Sequence, residues 1–115
     1  MLKIDYSKDS LLTEFSKQTL KDRYMGGDEQ SPQEAFARAA LAFADDQDHA
    51  QRIYDYASNL WFMFATPVLS NGGTKRGLPI SCFLNYIEDS REGITVHYTE
   101  NAYLSSMFGG IGGGW

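Results

Sequence analysis

A single cysteine, Cys82, is all that the chain offers for sulfur chemistry, so no disulfide can form within it and a secreted disulfide scaffold is excluded. Histidine is scarce too. His49 and His97 lie far apart, with no cysteine or acidic cluster at ligand spacing, which argues against a metal centre held by this chain. Positive charge is in deficit: Lys and Arg number 10 against 15 Asp and Glu, for a formal net charge of -5. Non-specific nucleic-acid binding neutralises phosphates with cations, so a nucleic-acid partner is not expected, although backbone N–H groups can still build a local anion site. The longest apolar run, residues 60–65, is far too short to span a bilayer. Met1-Leu2-Lys3-Ile4-Asp5-Tyr6 lacks the apolar core of a signal peptide. The expectation is a cytoplasmic protein with no membrane partner. What is present, 43% hydrophobic and 22% charged residues over 115 positions, suits one small domain with a modest core.

The first part reads as helical. Leu11, Leu12, Phe15 and Leu20 form a stripe that ends near Tyr24-Met25-Gly26-Gly27, where paired glycines can supply a left-handed cap. Ser31-Pro32-Gln33-Glu34 is a helix start: Ser31 caps, Pro32 suits the first position and Glu34 closes a capping box. Phe36, Ala39, Ala40 and Phe43 follow at helical spacing. Asp45, Asp46 and Asp48 favour the start of a third helix, predicted to carry Ile53, Ala57, Leu60, Trp61 and Phe64 on one face. Core packing accounts for these aromatics.

Composition changes at Thr66. Pro67 disfavours helical geometry there, and Ser70-Asn71-Gly72-Gly73-Thr74-Lys75-Arg76-Gly77 reads as a loop. Residues 78–87 fit a buried strand with Ile80, Cys82, Leu84 and Tyr86 on one face. Asp89 or Ser90 then caps a helix expected to reach about Met107, carrying Ile94, Tyr98, Ala102 and Leu104. The glycines from Gly109 to Gly114 form a loop or lead into a second strand, which makes a βαβ unit.

Two features bear on chemistry. Cys82 on a strand reads either as a small hydrophobe or as a reactive thiol. Redox use needs a second sulfur reachable by thiolate attack, which this chain does not hold. The glycine cluster lacks the Lys-Ser/Thr pair of a P-loop and follows a helix instead of opening one, so it is neither a P-loop nor a dinucleotide fingerprint. It marks a close approach of backbone or ligand, or simple turns. Glu88, Asp89 and the acids near Asp45 read as helix caps, and His97 as a packing or solvent-facing residue.

Trp61-Phe62-Met63-Phe64-Ala65-Thr66-Pro67-Val68-Leu69-Ser70-Asn71-Gly72-Gly73, then Pro79-Ile80-Ser81-Cys82-Phe83-Leu84, Asp89-Ser90, and Phe108-Gly109-Gly110-Ile111-Gly112-Gly113-Gly114 occur in that order. Together they resemble the large subunit of ribonucleotide reductase. Arg23-Tyr24 is a fainter echo. The resemblance implies an α/β fold: an amino-terminal helical region over residues 1–65, then over residues 66–115 the first β-α unit and second-strand lead-in of a ten-stranded α/β barrel, incomplete here. It implies reduction of the ribonucleotide 2′-hydroxyl by radical chemistry, with Cys82 as one of two reducing thiols. Thr66, Ser81, Cys82 and Gly110 would contact the nucleotide substrate. Asp89, Ser90 and Arg91 would form an effector site for a nucleoside triphosphate, although Arg91 stands where the family is often apolar.

The implied partners are the carboxyl-terminal remainder of the subunit and a second large subunit packed through residues 90–107. A radical-generating, metal-containing small subunit and a thioredoxin- or glutaredoxin-type reductant complete the set. No cofactor would be bound by this chain itself. The second reducing cysteine, the radical-bearing cysteine and the catalytic Asn and Glu of the family have no counterpart here, so the chain alone is expected to be inactive. With one strand unpaired at both edges, it is expected to need its missing half. The competing reading is a stand-alone helical interaction module without catalysis.

Overall fold

The computed structural model describes residues 1–107 and 109–115. They divide into two compact units, Met1–Pro79 and Ile80–Trp115. The first unit contains a 3₁₀ segment, Tyr6–Leu11, and four helices: α1 (Glu14–Arg23), α2 (Pro32–Phe43), α3 (Gln47–Ser58) and α4 (Thr66–Asn71). The second contains β1 (Cys82–Tyr86), α5 (Arg91–Ser106) and β2 (Gly110–Gly114).

Helix α2 is the centre of the first unit. Its start is the expected one: Ser31 accepts from the Gln33 N–H, Glu34 returns to the Ser31 N–H, and Pro32 sits in the first turn. Ala35, Phe36, Ala37, Ala39 and Ala40 are all buried, so this helix is apolar almost all round, as a central helix must be. Its alanines admit close approach by Ala50, Tyr54 and Ala57 of α3 and by Leu69 of α4. Arg38, at 15% side-chain exposure, joins the pieces. It pairs with Glu29 at 2.6 Å and donates to the carbonyls of Tyr24, Leu69 and Gly72, at the ends of α1 and α4.

Helix α1 stops near Tyr24 as expected, but other helix ends depart from expectation. Gly26 and Gly27 are not left-handed; among the glycines that conformation belongs to Gly73, φ +72°, just past α4. Helix α3 begins at the Asp46 cap as expected but stops at Ser58 instead of running to Phe64. Leu60 takes φ 59°, the Leu60 N–H bonds to Ala57 O, and the Trp61 N–H bonds to Tyr56 O. This is a Schellman end, with the Trp61 ring 5.5 Å from that of Tyr56 as its hydrophobic contact. Thr66 and Pro67 do not break helix; they open α4, because proline lacks an N–H that the first turn leaves unused anyway.

In the second unit β1 and β2 pair in parallel, Cys82 opposite Gly110 through Tyr86 opposite Gly114, with α5 as the crossover. The βαβ expectation therefore holds, and β1 is not single: one of its edges is paired. The strand is shorter than residues 78–87, and Ile80 lies outside it. Cys82, Leu84 and Tyr86 do share a face, but that face is exposed, with Leu84 at 89%. Helix α5 packs toward the other face, that of Phe83 and Asn85. Of the residues that α5 was expected to carry, Ile94 and Leu104 are half-buried, and Tyr98 and Ala102 are exposed. No helix among the described residues is long and apolar enough to cross a membrane.

Candidate functional site

The parallel register brings Ser81, Cys82 and Gly110 together. The Gly110 N–H donates to Ser81 O at 2.5 Å, extending the ladder one step beyond Cys82. The Cys82 thiol is exposed, with Ser81 Oγ 3.8 Å from its sulfur. Beside Cys82, Leu84 and Tyr86, strand β2 presents Gly110, Gly112 and Gly114 in register. A Cβ at Gly110 would meet only the Ser81 carbonyl, at 3.3 Å, and one at Gly114 would meet nothing within 4 Å. At Gly112, between them, the Leu84 side chain lies over the strand, with Cδ2 2.8 Å from where a Cβ would stand; the thiol thus stands next to bare backbone at Gly110, where a ligand can approach the chain closely.

Thr66 belongs to the first unit, as the opening residue of α4. Its Oγ1 lies 3.1 Å from the Tyr24 hydroxyl, and both residues line an apolar groove of about 470 Å³ with Leu12, Phe15, Leu20 and Met63. The Tyr24 contact gives the fainter Arg23-Tyr24 echo a physical partner.

Asp89, Ser90 and Arg91 cluster at the start of α5. Ser90 is the cap, its Oγ accepting from the Gly93 N–H at 2.9 Å. Asp89 is exposed and not the cap. Its carboxylate suits the hydroxyl of a sugar. The surroundings suit phosphates less well, since Glu88, Asp89 and Glu92 outnumber Arg91 here; cations for a triphosphate would have to come from outside this cluster. Among the described residues no group of three or more His, Cys, Asp or Glu is placed to hold a metal ion.

Sequence reading missed a polar cluster behind the strand, Asn85 with His97 and Asn101 of α5. Its signal was available: a lone Asn among apolar strand residues, and His and Asn four apart on the following helix.

A helical unit followed by a parallel β-α-β unit with a strand-borne thiol is the class of protein that these features define. Residues 10–77, more than half of the chain, match the ribonucleotide reductase all-alpha domain, and the chain belongs to that family. It is similar to the ribonucleoside-diphosphate reductase large subunits of Invertebrate iridescent virus 6, 44% identical over 96% of this chain, and Invertebrate iridescent virus 3, 49% identical over 97%. The chain spans 12% and 18% of those two proteins' lengths. Among solved structures it resembles the class Id ribonucleotide reductase alpha subunit of Actinobacillus ureae. That match has a TM-score of 0.76 and 31% identity, and covers 96% of this chain and 21% of that one. These likenesses do not favour a stand-alone helical module.

Proposed function

We propose that this chain serves as the amino-terminal part of a ribonucleoside-diphosphate reductase large subunit, active when completed by the rest of that subunit. The helical unit, Met1–Pro79, leads into Ile80–Trp115, which begins a ten-stranded α/β barrel whose first two strands are β1 and β2. Cys82 is one of two reducing thiols. In the net reaction the C2′–O bond of the ribose breaks, the oxygen leaves as water, and carbon takes hydrogen in its place. The two electrons come from two cysteines that become a disulfide. The second cysteine, the radical generator and the thioredoxin- or glutaredoxin-type reductant are supplied from outside this chain, the generator by a metal-containing small subunit. Synthesis of deoxyribonucleotides in the cytoplasm is the cellular role of this reading.

The observation that carries it is the exposed Cys82 thiol beside the bare backbone of Gly110, its register partner on β2. Ser81 and Gly110 contact the nucleotide through hydroxyl and backbone. Asp89, Ser90 and Arg91 meet the nucleoside triphosphate effector, Asp89 accepting from a sugar hydroxyl. The exposed surface of α5, which includes Val96, Tyr98 and Tyr103, packs against a second large subunit.

The test is Cys82→Ser in the complete large subunit. Serine keeps the size but cannot form the disulfide, so turnover with dithiol reductants is lost while nucleotide binding is nearly unchanged. Turnover close to that of the unaltered enzyme would reduce Cys82 to a packing residue.

A further inference from the structure

Asn85 projects from β1 on the face opposite Cys82. Its Nδ2 donates to Asn101 Oδ1 at 2.9 Å and to Glu100 Oε2 at 3.2 Å, both on α5. The other end of the Asn101 amide, Nδ2, lies 3.0 Å from His97 Nε2. An amide nitrogen only donates, so Nε2 is the acceptor and the proton of the neutral imidazole sits on Nδ1. His97 Nδ1 and Asn85 Oδ1 are buried and have no hydrogen-bond partner among the described residues. The ring rests on β2, where a Cβ at Gly113 would come within 2.7 Å of His97 Cε1.

The polarity of this chain of bonds is set at one end. The Glu100 carboxylate only accepts, so it holds Asn85 with its nitrogen toward α5. With the proton on Nε2, the imidazole would face the Asn101 NH₂, donor against donor. Rotating Asn101 would move the conflict to Asn85, and rotating Asn85 would turn its oxygen to the carboxylate. A buried Nδ1–H left without a partner is the consequence.

We propose that Glu100, Asn85, Asn101 and His97 form a polarised relay that pins α5 to the β1–β2 sheet and holds His97 as its Nδ1–H tautomer. His97 is thereby a positioning residue for the effector end of α5, a role that rests on the function proposed above. The physical need is register. The half-buried Ile94 and Leu104 of α5 make non-directional contacts that tolerate sliding, whereas hydrogen bonds between fixed atoms do not. Because β1 begins at Cys82 and α5 begins after Ser90, pinning the helix to Asn85 sets the helix start relative to the thiol.

Two measurements test this. In the ¹⁵N-labelled chain, long-range ¹H–¹⁵N correlations should show His97 Nδ1 protonated and Nε2 bare. In Asn85→Leu, Asn101 loses the donor that orients it, and the Nε2–H form should gain population while the circular dichroism stays helical. A wild-type Nε2–H signature, or none of this shift in Asn85→Leu, overturns the relay. In the complete large subunit, Asn85→Leu and Gly113→Ala should each weaken the effector-dependent change in product ratio by about fivefold or more, the low end of ordinary coupling between sites. Turnover without effector should persist in both. Gly113→Ala keeps every polar group and only displaces the ring, which separates geometry from loss of an amide. An intact effector response in both variants overturns the positioning role. Failure of the reductase reading shows separately, as an active Cys82→Ser enzyme, and leaves the tautomer signature untouched.

Discussion

Replacing Arg38 with methionine removes the one guanidinium that joins three segments of the helical unit. Methionine retains an unbranched stem of similar reach, so apolar packing against α2 is largely kept and the charge is what changes. The Glu29 carboxylate, with 15% side-chain exposure, is left with the Gly26 N–H at 2.6 Å. The Leu69 and Gly72 carbonyls lose their Arg38 donors at 2.8 and 2.7 Å, and Tyr24 O keeps only Arg76 at 3.3 Å. Removing one partner of a buried ion pair costs about 3–5 kcal/mol; with this pair still touching solvent, about 3 kcal/mol is expected. That is a large share of the roughly 5–15 kcal/mol that holds a domain folded. Urea unfolding, followed by exchange of the Ala39 and Ala40 amides of α2, measures it. Adding Glu29→Gln removes the stranded charge and should restore part of the loss, with a coupling of roughly 0.5–3 kcal/mol in a double-mutant cycle. A loss below about 1 kcal/mol for Arg38→Met, or no coupling to Glu29, would refute the argument that this pair organises the unit.

Ser31→Ala removes both the cap on the Gln33 N–H and a 2.7 Å bond to Asp9; a loss of about 1–2 kcal/mol in thermal or urea unfolding is expected. Glu34 accepts from the Gln30 and Ser31 N–H groups and from Tyr6, and chiefly the Gln30 bond holds its carboxyl below the ordinary 4.5. Its contribution is therefore complete above that pH and is lost as pH falls through the lowered value, so Glu34→Gln should flatten the acid limb of the unfolding midpoint plotted against pH. Asp89→Ala in the complete subunit should weaken effector binding roughly ten- to a hundredfold, as loss of a charge-assisted hydrogen bond does, and blur base selection in mixed-substrate product ratios. Because Ser90 rather than Asp89 is the helix cap, the same substitution should leave thermal stability nearly unchanged.

Local chemistry was legible in the sequence because it acts over a few residues. The Ser31-Pro32-Gln33-Glu34 box was readable, and the caps of α3 and α5 were narrowed to the acids near Asp45 and to Asp89 or Ser90, since a side chain and the amides it caps are neighbours in the chain. The period of two likewise put Cys82, Leu84 and Tyr86 on one face. The end of α3 was not readable, because an apolar residue such as Leu60 carries no stop signal and its left-handed turn depends on the contact of Trp61 with Tyr56, whereas α1 and α5 stop within a residue of where they were expected. Tertiary structure alone chose Arg38 as the tie between helix ends. It also set Cys82 abreast of Gly110 and joined Asn85 to His97 through Asn101. Each of these depends on residues far apart in the chain meeting at a particular register, and hydrophobic pattern specifies which face is apolar without saying which partner it will meet.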